Sequence, residues 1–238
     1  HILREQGWDT RFVQGSGKGI VGAFAQSLGF TESYGKKDFD FEAPHNEWGF
    51  QDDSIYRFSM DRINEMQNSN SDKPFFIAIN TGTTHGSLLP SEDDFTFGKS
   101  TMPELRRSTM NYADKALEAF ITELHDTVKE PTLVVLMSDH TAKIVEPNLA
   151  KNSIPFLIYA TDGSVPAIHH NTATSQRDVG STILDWLGGY APWFTGQSLL
   201  NEHYAGQSSF SDGSLFFWVD GKRMVTIDSS NNSLQQCF

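Results

Sequence analysis

Residues 132–140 constrain the fold more than any other stretch. Leu133, Val134, Val135, Leu136 and Met137 form an unbroken apolar run that halts at Ser138-Asp139-His140. The run is approached through Glu130-Pro131 and lacks Gly or Asn at its far end, so it reads as a central strand leading into a loop. An apolar strand without alternation is buried on both faces, the pattern of a parallel sheet covered by helices. In such sheets, ligand-binding and catalytic groups gather beyond the carboxyl ends of the strands. Asp139 and His140 stand there, and a carboxylate oxygen with an imidazole nitrogen suits zinc, manganese or iron. Adjacent spacing also fits an aspartate that caps the next segment beside an unrelated histidine.

A second apolar strand at 74–80 likewise runs out into Thr81-Gly82-Thr83-Thr84-His85-Gly86. Thr101-Met102-Pro103-Glu104 is a capping box with an early proline, and the long helix behind it carries Met110, Ala113, Leu117, Phe120, Ile121 and Leu124 along one face. As a right-handed crossover it makes the two strands parallel, so His85 and His140 are expected to face one crevice. Its outward charges form a solvated face.

Earlier, residues 9–14 read as a strand, followed by the glycine turn Gly15-Ser16-Gly17-Lys18-Gly19 and a short helix with Ile20, Phe24 and Leu28 on one face. The turn lacks nucleotide P-loop spacing; Lys18 either reaches an anionic substrate or is a solvated lysine in a flexible turn. Residues 34–44 are expected as a loop and 68–72 as a polar linker. Trp48 either anchors its loop against the core, the reading the sequence favours, or walls a substrate cleft. The helix after it is expected to be capped by Asp53 or Ser54. A third strand falls at 154–160. His169-His170 either ligates or lines a loop, and Ser175-Gln176-Arg177-Asp178 is a further capping box. Apolar runs at 214–219 and 222–227 flank Asp220-Gly221, a type I′ hairpin signal.

The formal net charge of −12 argues against a nucleic-acid or anionic-membrane surface. The single cysteine, Cys237, excludes an intrachain disulfide. No apolar run is long enough to span a bilayer. His1 to Gly7 reads as the end of a helix whose start is missing, so the chain is expected to be a piece of a longer protein.

Several motifs recur in order in one family: Trp48-Gly49-Phe50-Gln51-Asp52-Asp53, Lys73-Pro74-Phe75-Phe76, Thr83-Thr84-His85-Gly86, Leu136-Met137-Ser138-Asp139-His140 and Ile183-Leu184-Asp185-Trp186-Leu187-Gly188-Gly189. Together they resemble the sulfatase branch of the alkaline phosphatase superfamily, over roughly residues 1–200. Within it the chain is most similar to phosphoglycerol transferases of the membrane-oligosaccharide and lipoteichoic-acid-synthase type. The resemblance implies transfer of a phosphoglycerol headgroup from a phospholipid donor to a glycan or polyglycerol acceptor through a threonine nucleophile, at a divalent metal. Manganese comes first, with zinc or magnesium as alternatives. It matches Asp139 and His140 to the metal pair and His85 to a histidine at the substrate phosphate; Lys18 and Trp48 are candidate substrate contacts.

The family's threonine and glutamate ligand match nothing in this chain and are expected upstream of His1. The chain alone is therefore expected to hold half a metal site, to be inactive, and to depend on the preceding part of the same protein. That protein is expected to be anchored in a membrane and to work on its extracytoplasmic side. Where lipoteichoic synthases have a histidine after the early strand this chain has Gln14, which favours the glucan-modifying relatives. A sulfatase or phosphodiesterase and a non-catalytic binding remnant are the alternatives. The expected architecture is α/β, a mostly parallel sheet sandwiched by helices over 1–200 with a small antiparallel hairpin at 201–238.

Overall fold

The computed structural model describes residues 1–69, 73–141 and 152–237. They form two compact units, residues 1–129 and 130–238. The linker expected at 68–72 lies partly outside the described residues.

The first unit contains α1 (Ile2–Glu5), β1 (Asp9–Gln14), α2 (Gly19–Ser27), β2 (Glu32–Tyr34), the short strands β3 (His45–Asn46) and β4 (Gly49–Phe50), α3 (Asp52–Asn68), β5 (Phe75–Asn80) and α4 (Met102–Thr127). Its sheet has the order β2-β1-β5 and is wholly parallel. Register pairs Asp9 with Phe75 and Gln14 with Asn80, so β1 and β5 start and finish side by side. Both therefore release their loops at one carboxyl edge. Val13, Phe39, Phe50, Ile55 and Phe58 form the core above them, with the Phe39 and Phe58 rings stacked 4.0 Å apart.

The second unit contains β6 (Leu133–Met137), β7 (Phe156–Ala160), α5 (Gln176–Trp186) and the strands β8 (Ser208–Asp212), β9 (Leu215–Val219), β10 (Met224–Asp228) and β11 (Ser233–Cys237). β6 and β7 pair antiparallel. The last four strands form an antiparallel sheet in the order β11-β10-β9-β8.

The α/β class, the parallel sheet flanked by helices and the antiparallel C-terminal element are as the sequence implies. Details differ for local reasons. β5 and β6 lie at the edges of their ladders and are only partly covered, with Met137 43 % exposed. The Ile20, Phe24 and Leu28 face of α2 is exposed; the helix packs instead through Gly22 and Ala25, where a Cβ on Gly22 would meet Ser33 Oγ at 3.3 Å. α4 has the expected capping box, but its buried positions include Ser108 and Thr109, whereas Met110 is exposed. Ser108 Oγ donates to Gly98 O and accepts from Phe97 N–H, which the apolar periodicity does not register. The hairpin forms between β9 and β10, yet Gly221 has no positive φ; the turn is closed by the Asp220 carboxylate, which accepts from the N–H groups of Lys222 and Arg223, both at 2.7 Å. The hairpin is thus the middle of a four-stranded meander whose outer strands are too polar to be read as strands.

Gly49 carries a very close backbone approach in the first unit. Its φ is +146°, and a Cβ there would sit 2.4 Å from Gly15 O, while the neighbouring Phe50 N–H donates to that same oxygen at 3.1 Å. Gly49→Ala is expected to cost about 2–4 kcal/mol, combining backbone strain with a clash that only backbone movement relieves. Gly17→Ala, at a position with open space around it, is expected within about 0.5 kcal/mol of the parent. Denaturant unfolding of both variants checks the contrast; equal stabilities would refute it.

Candidate active site

In the first unit, Trp48 and His85 come together at the carboxyl edge of the sheet. Their rings meet edge to face with centroids 4.1 Å apart, and both side chains are exposed, Trp48 by 52 %. The core anchor expected of Trp48 is therefore not what the structure shows. The core role falls instead to Phe50, two residues on.

Buried polar groups hold the two rings' loops. Asn46 Oδ1 accepts from Trp48 N–H at 2.8 Å and Gly49 N–H at 3.1 Å, closing the turn that presents Trp48. The Asn46 side chain also abuts Gly86, where a Cβ would lie 2.3 Å from its Nδ2. Gln51 is the N-cap of α3, so the helix begins earlier than Asp53 or Ser54 implied. The next residue, Asp52, accepts at one oxygen from Gly82 N–H (2.8 Å) and Thr83 N–H (2.9 Å). Thr83 Oγ1 accepts from Asp52 N–H and donates to Gln51 Oε1, both at 2.9 Å, and Gln51 Nε2 donates to Leu88 O at 2.8 Å. Gln51, Asp52 and Thr83 are 1 %, 2 % and 0 % exposed. Burial pushes the Asp52 carboxyl above its ordinary range, although the two N–H groups pull it down.

Lys18 leaves the same edge, on the glycine turn after β1. Its Nζ lies 3.1 Å from an Asp38 oxygen, so its charge is already matched. Gln14 is buried and donates through Nε2 to Gly17 O and Lys18 O, bracing that turn.

In the second unit, the turn after β6 brings Asp139 and His140 together. His140 Nδ1 lies 2.7 Å from Thr141 O. A carbonyl only accepts, so Nδ1 is the donor in this bond. The ring's Nε2 is 3.7 Å from Asp139 Oδ2, while Asp139 Oδ1 accepts from His140 N–H at 2.8 Å. A carboxylate oxygen and an imidazole nitrogen are donors of the type that suits a zinc-like or manganese-like ion. Gln176, the first residue of α5, donates to Asp139 O at 2.9 Å and Ser138 O at 3.3 Å, holding the turn. Asp139 and His140 are two side chains of metal-binding type; among the described residues no cluster of three or more such side chains occurs. His170 is occupied otherwise: Nε2 donates to Leu199 O at 2.7 Å and the ring packs on Tyr204. His169 is exposed.

The sequence reading missed Asn46, Gln51, Asp52, Thr83 and Gln176. The one signal for the first four was a Gln-Asp-Asp run directly before an apolar helix, where solvated caps are the ordinary expectation.

The elements together are those of an α/β protein, with a parallel sheet flanked by helices and an antiparallel sheet near the C-terminus. The model of the family described as Sulfatase matches residues 1–190, and the chain belongs to that family. It is 27 % identical over 203 residues to phosphoglycerol transferase I of Escherichia coli strain 55989, an alignment covering 79 % of this chain and 26 % of the relative. The chain thus spans about a quarter of the length of the curated relatives it matches. Among solved structures, an alkaline phosphatase superfamily protein of Vibrio parahaemolyticus superposes with a TM-score of 0.81 at 19 % identity, covering 100 % of this chain and 62 % of that one. The lipoteichoic acid synthase LtaP of Listeria monocytogenes gives 0.73 at 16 % identity, covering 98 % and 66 %. Both likenesses concern the fold.

The raised Asp52 carboxyl has a consequence for stability. Between the unfolded and folded pKa values the native state holds the proton and the unfolded chain does not, so this group favours folding below the unfolded value and loses that contribution as pH rises through the folded one. Relative to Asp52→Asn, the parent chain should therefore gain stability on acidification from neutral pH. Parallel denaturant titrations at several pH values check this; a difference independent of pH would contradict it.

Proposed function

We propose that the chain is part of a metal-dependent phosphoglycerol transferase of the sulfatase family. It would take a phosphoglycerol headgroup from a phospholipid and pass it to a glycan or polyglycerol hydroxyl on the extracytoplasmic side of a membrane. The observation that carries the reading is the Asp139-His140 turn, where an imidazole nitrogen and a carboxylate oxygen stand 3.7 Å apart, donor types that suit a divalent cation. The similarity to phosphoglycerol transferase I supports the choice of transferred group.

Asp139 and His140 would hold a divalent cation, manganese foremost, with Gln176 fixing the turn that carries them. When bound, the cation neutralises charge on the oxygens of the transferring group. His85 would contact the headgroup phosphate, and Trp48 would offer an exposed ring face beside it. Lys18 would reach an anionic substrate by exchanging partners from Asp38; exposed ion pairs are worth only about 0–1 kcal/mol, so the exchange is cheap. In this reading the threonine nucleophile, whose oxygen bonds phosphorus as diacylglycerol leaves, is supplied outside residues 1–238, as is the membrane anchor. No helix among the described residues is long and apolar enough to cross a membrane.

Calorimetric titration of the full-length protein with manganese is expected to show one ion per chain, and His140→Ala or Asp139→Ala to weaken it at least about tenfold. No stoichiometric binding would leave a non-catalytic module. Incubation with fluorescent phosphatidylglycerol and a glucan acceptor is expected to release diacylglycerol and label the glucan, with His85→Ala lowering the rate about 10²-fold or more. Glycerol phosphate released to water with no labelled glucan would make the protein a hydrolase instead.

A further inference from the structure

Gln51 and Asp52 direct their side chains at one loop, residues 82–88, and that loop carries His85. Thr83 is the hinge of the contact: its N–H and its hydroxyl make three bonds to these two residues, each at 2.9 Å, all within the protein interior. Gly82 N–H and Leu88 O are held from the same two side chains at 2.8 Å each. Both ends of the loop are thus tied to the first turn of α3. Meanwhile Asn46, seated against Gly86, closes the turn that presents Trp48.

We infer that Gln51 and Asp52 are positioning residues, which act through Thr83 to set His85 against Trp48 and so against the headgroup. The inference rests on the reading of His85 as a headgroup contact. A group at a reacting centre must be held within about 0.5 Å, and a displacement of about 1 Å can cost about 10²-fold in rate. His85 is exposed and stands on the loop that the clasp holds. A shift of that loop strips a buried carboxylate of both its backbone donors, which makes intermediate positions costly.

A spectroscopic test uses the 238-residue chain labelled with 5-fluorotryptophan, with the Trp48 line assigned by Trp48→Phe and its sensitivity to the imidazole calibrated by His85→Ala. Thr83→Val keeps the side-chain volume and removes both hydroxyl bonds; it is expected to shift or broaden the Trp48 line, and Thr83→Ser to restore it. A Trp48 line unmoved by Thr83→Val overturns the proposal. Should Thr83→Val not fold, Asp52→Asn is read by hydrogen exchange at the Gly82 and Thr83 amides, expected to accelerate about tenfold; unchanged exchange overturns it equally. In the full-length protein, with fluorescent phosphatidylglycerol as donor, Thr83→Val is expected to lower kcat per folded molecule about 10- to 100-fold with a smaller change in KM, and Thr83→Ser to remain within about threefold. A parental kcat per folded molecule would reduce the clasp to a stability device. If His85→Ala leaves kcat and KM untouched, the headgroup reading falls, while the fluorine and exchange measurements still decide the clasp.

Discussion

A carboxylate shut away from water at the first turn of a helix is costly by itself, and the first unit carries one at Asp52. Its charge is answered by the N–H groups of Gly82 and Thr83, 30 and 31 residues further on. The positive end of the α3 dipole adds to the same compensation. Much of the unit's geometry leads up to this contact. The parallel β1–β5 ladder brings the chain to the sheet edge where Gly82 begins its loop, and Gly15 and Gly49 let the Trp48 turn close on the end of β1. α3 then enters from that turn with Gln51 and Asp52 already facing the loop. Loosening any of these steps would leave an acid buried without partners, so the arrangement is held by what it would cost to fail.

The second unit reaches a comparable end by lighter means. Its Asp139-His140 turn is exposed, and the bonds that shape it are local: a carboxylate on the next N–H, an imidazole on the next carbonyl. One long-range clamp, Gln176, reaches back from α5. The capping box of Ser175 and Asp178 fixes where that helix starts, and Asp178 in turn accepts from Tyr204 O–H at 2.7 Å and Gln197 N–H at 2.8 Å. A cap therefore does two jobs here. It starts the helix, and it delivers Gln176 to the turn.

How much of this was legible follows the range of each interaction. Apolar runs and capping boxes are local, so β1, β5, β6 and β7 and the starts of α4 and α5 can be read directly. β2 cannot, because three residues, Glu32-Ser33-Tyr34, are made a strand only by pairing with β1. β8 and β11 are polar for the same reason: β9 and β10 supply the apolar surface to which they attach. Trp48 was misplaced because residue type favours burial for an indole, while the neighbouring Gly49 and Phe50 had already filled that space. Asp139 and His140 stand out as candidates because their chemistry is unusual for a strand end. Gln51 and Thr83 were not, since nothing about either residue announces a partner about thirty positions away.

That asymmetry follows from how such a site must be built. On the proposed reading His85 and Trp48 meet a substrate and so have to be reachable, and both are exposed. Exposure removes the packing that would otherwise hold a side chain still, so precision must come from the backbone beneath it. Backbone is held most firmly by buried hydrogen bonds, which lose most when broken because no water replaces them. The residues that carry chemistry and those that carry accuracy therefore separate, the first at the surface and the second in the interior. A reading of residue types finds the first set. The second emerges only when the chain's distant parts are brought together, and in the first unit its members are an amide, an acid and a hydroxyl that an unfolded sequence would assign to solvent.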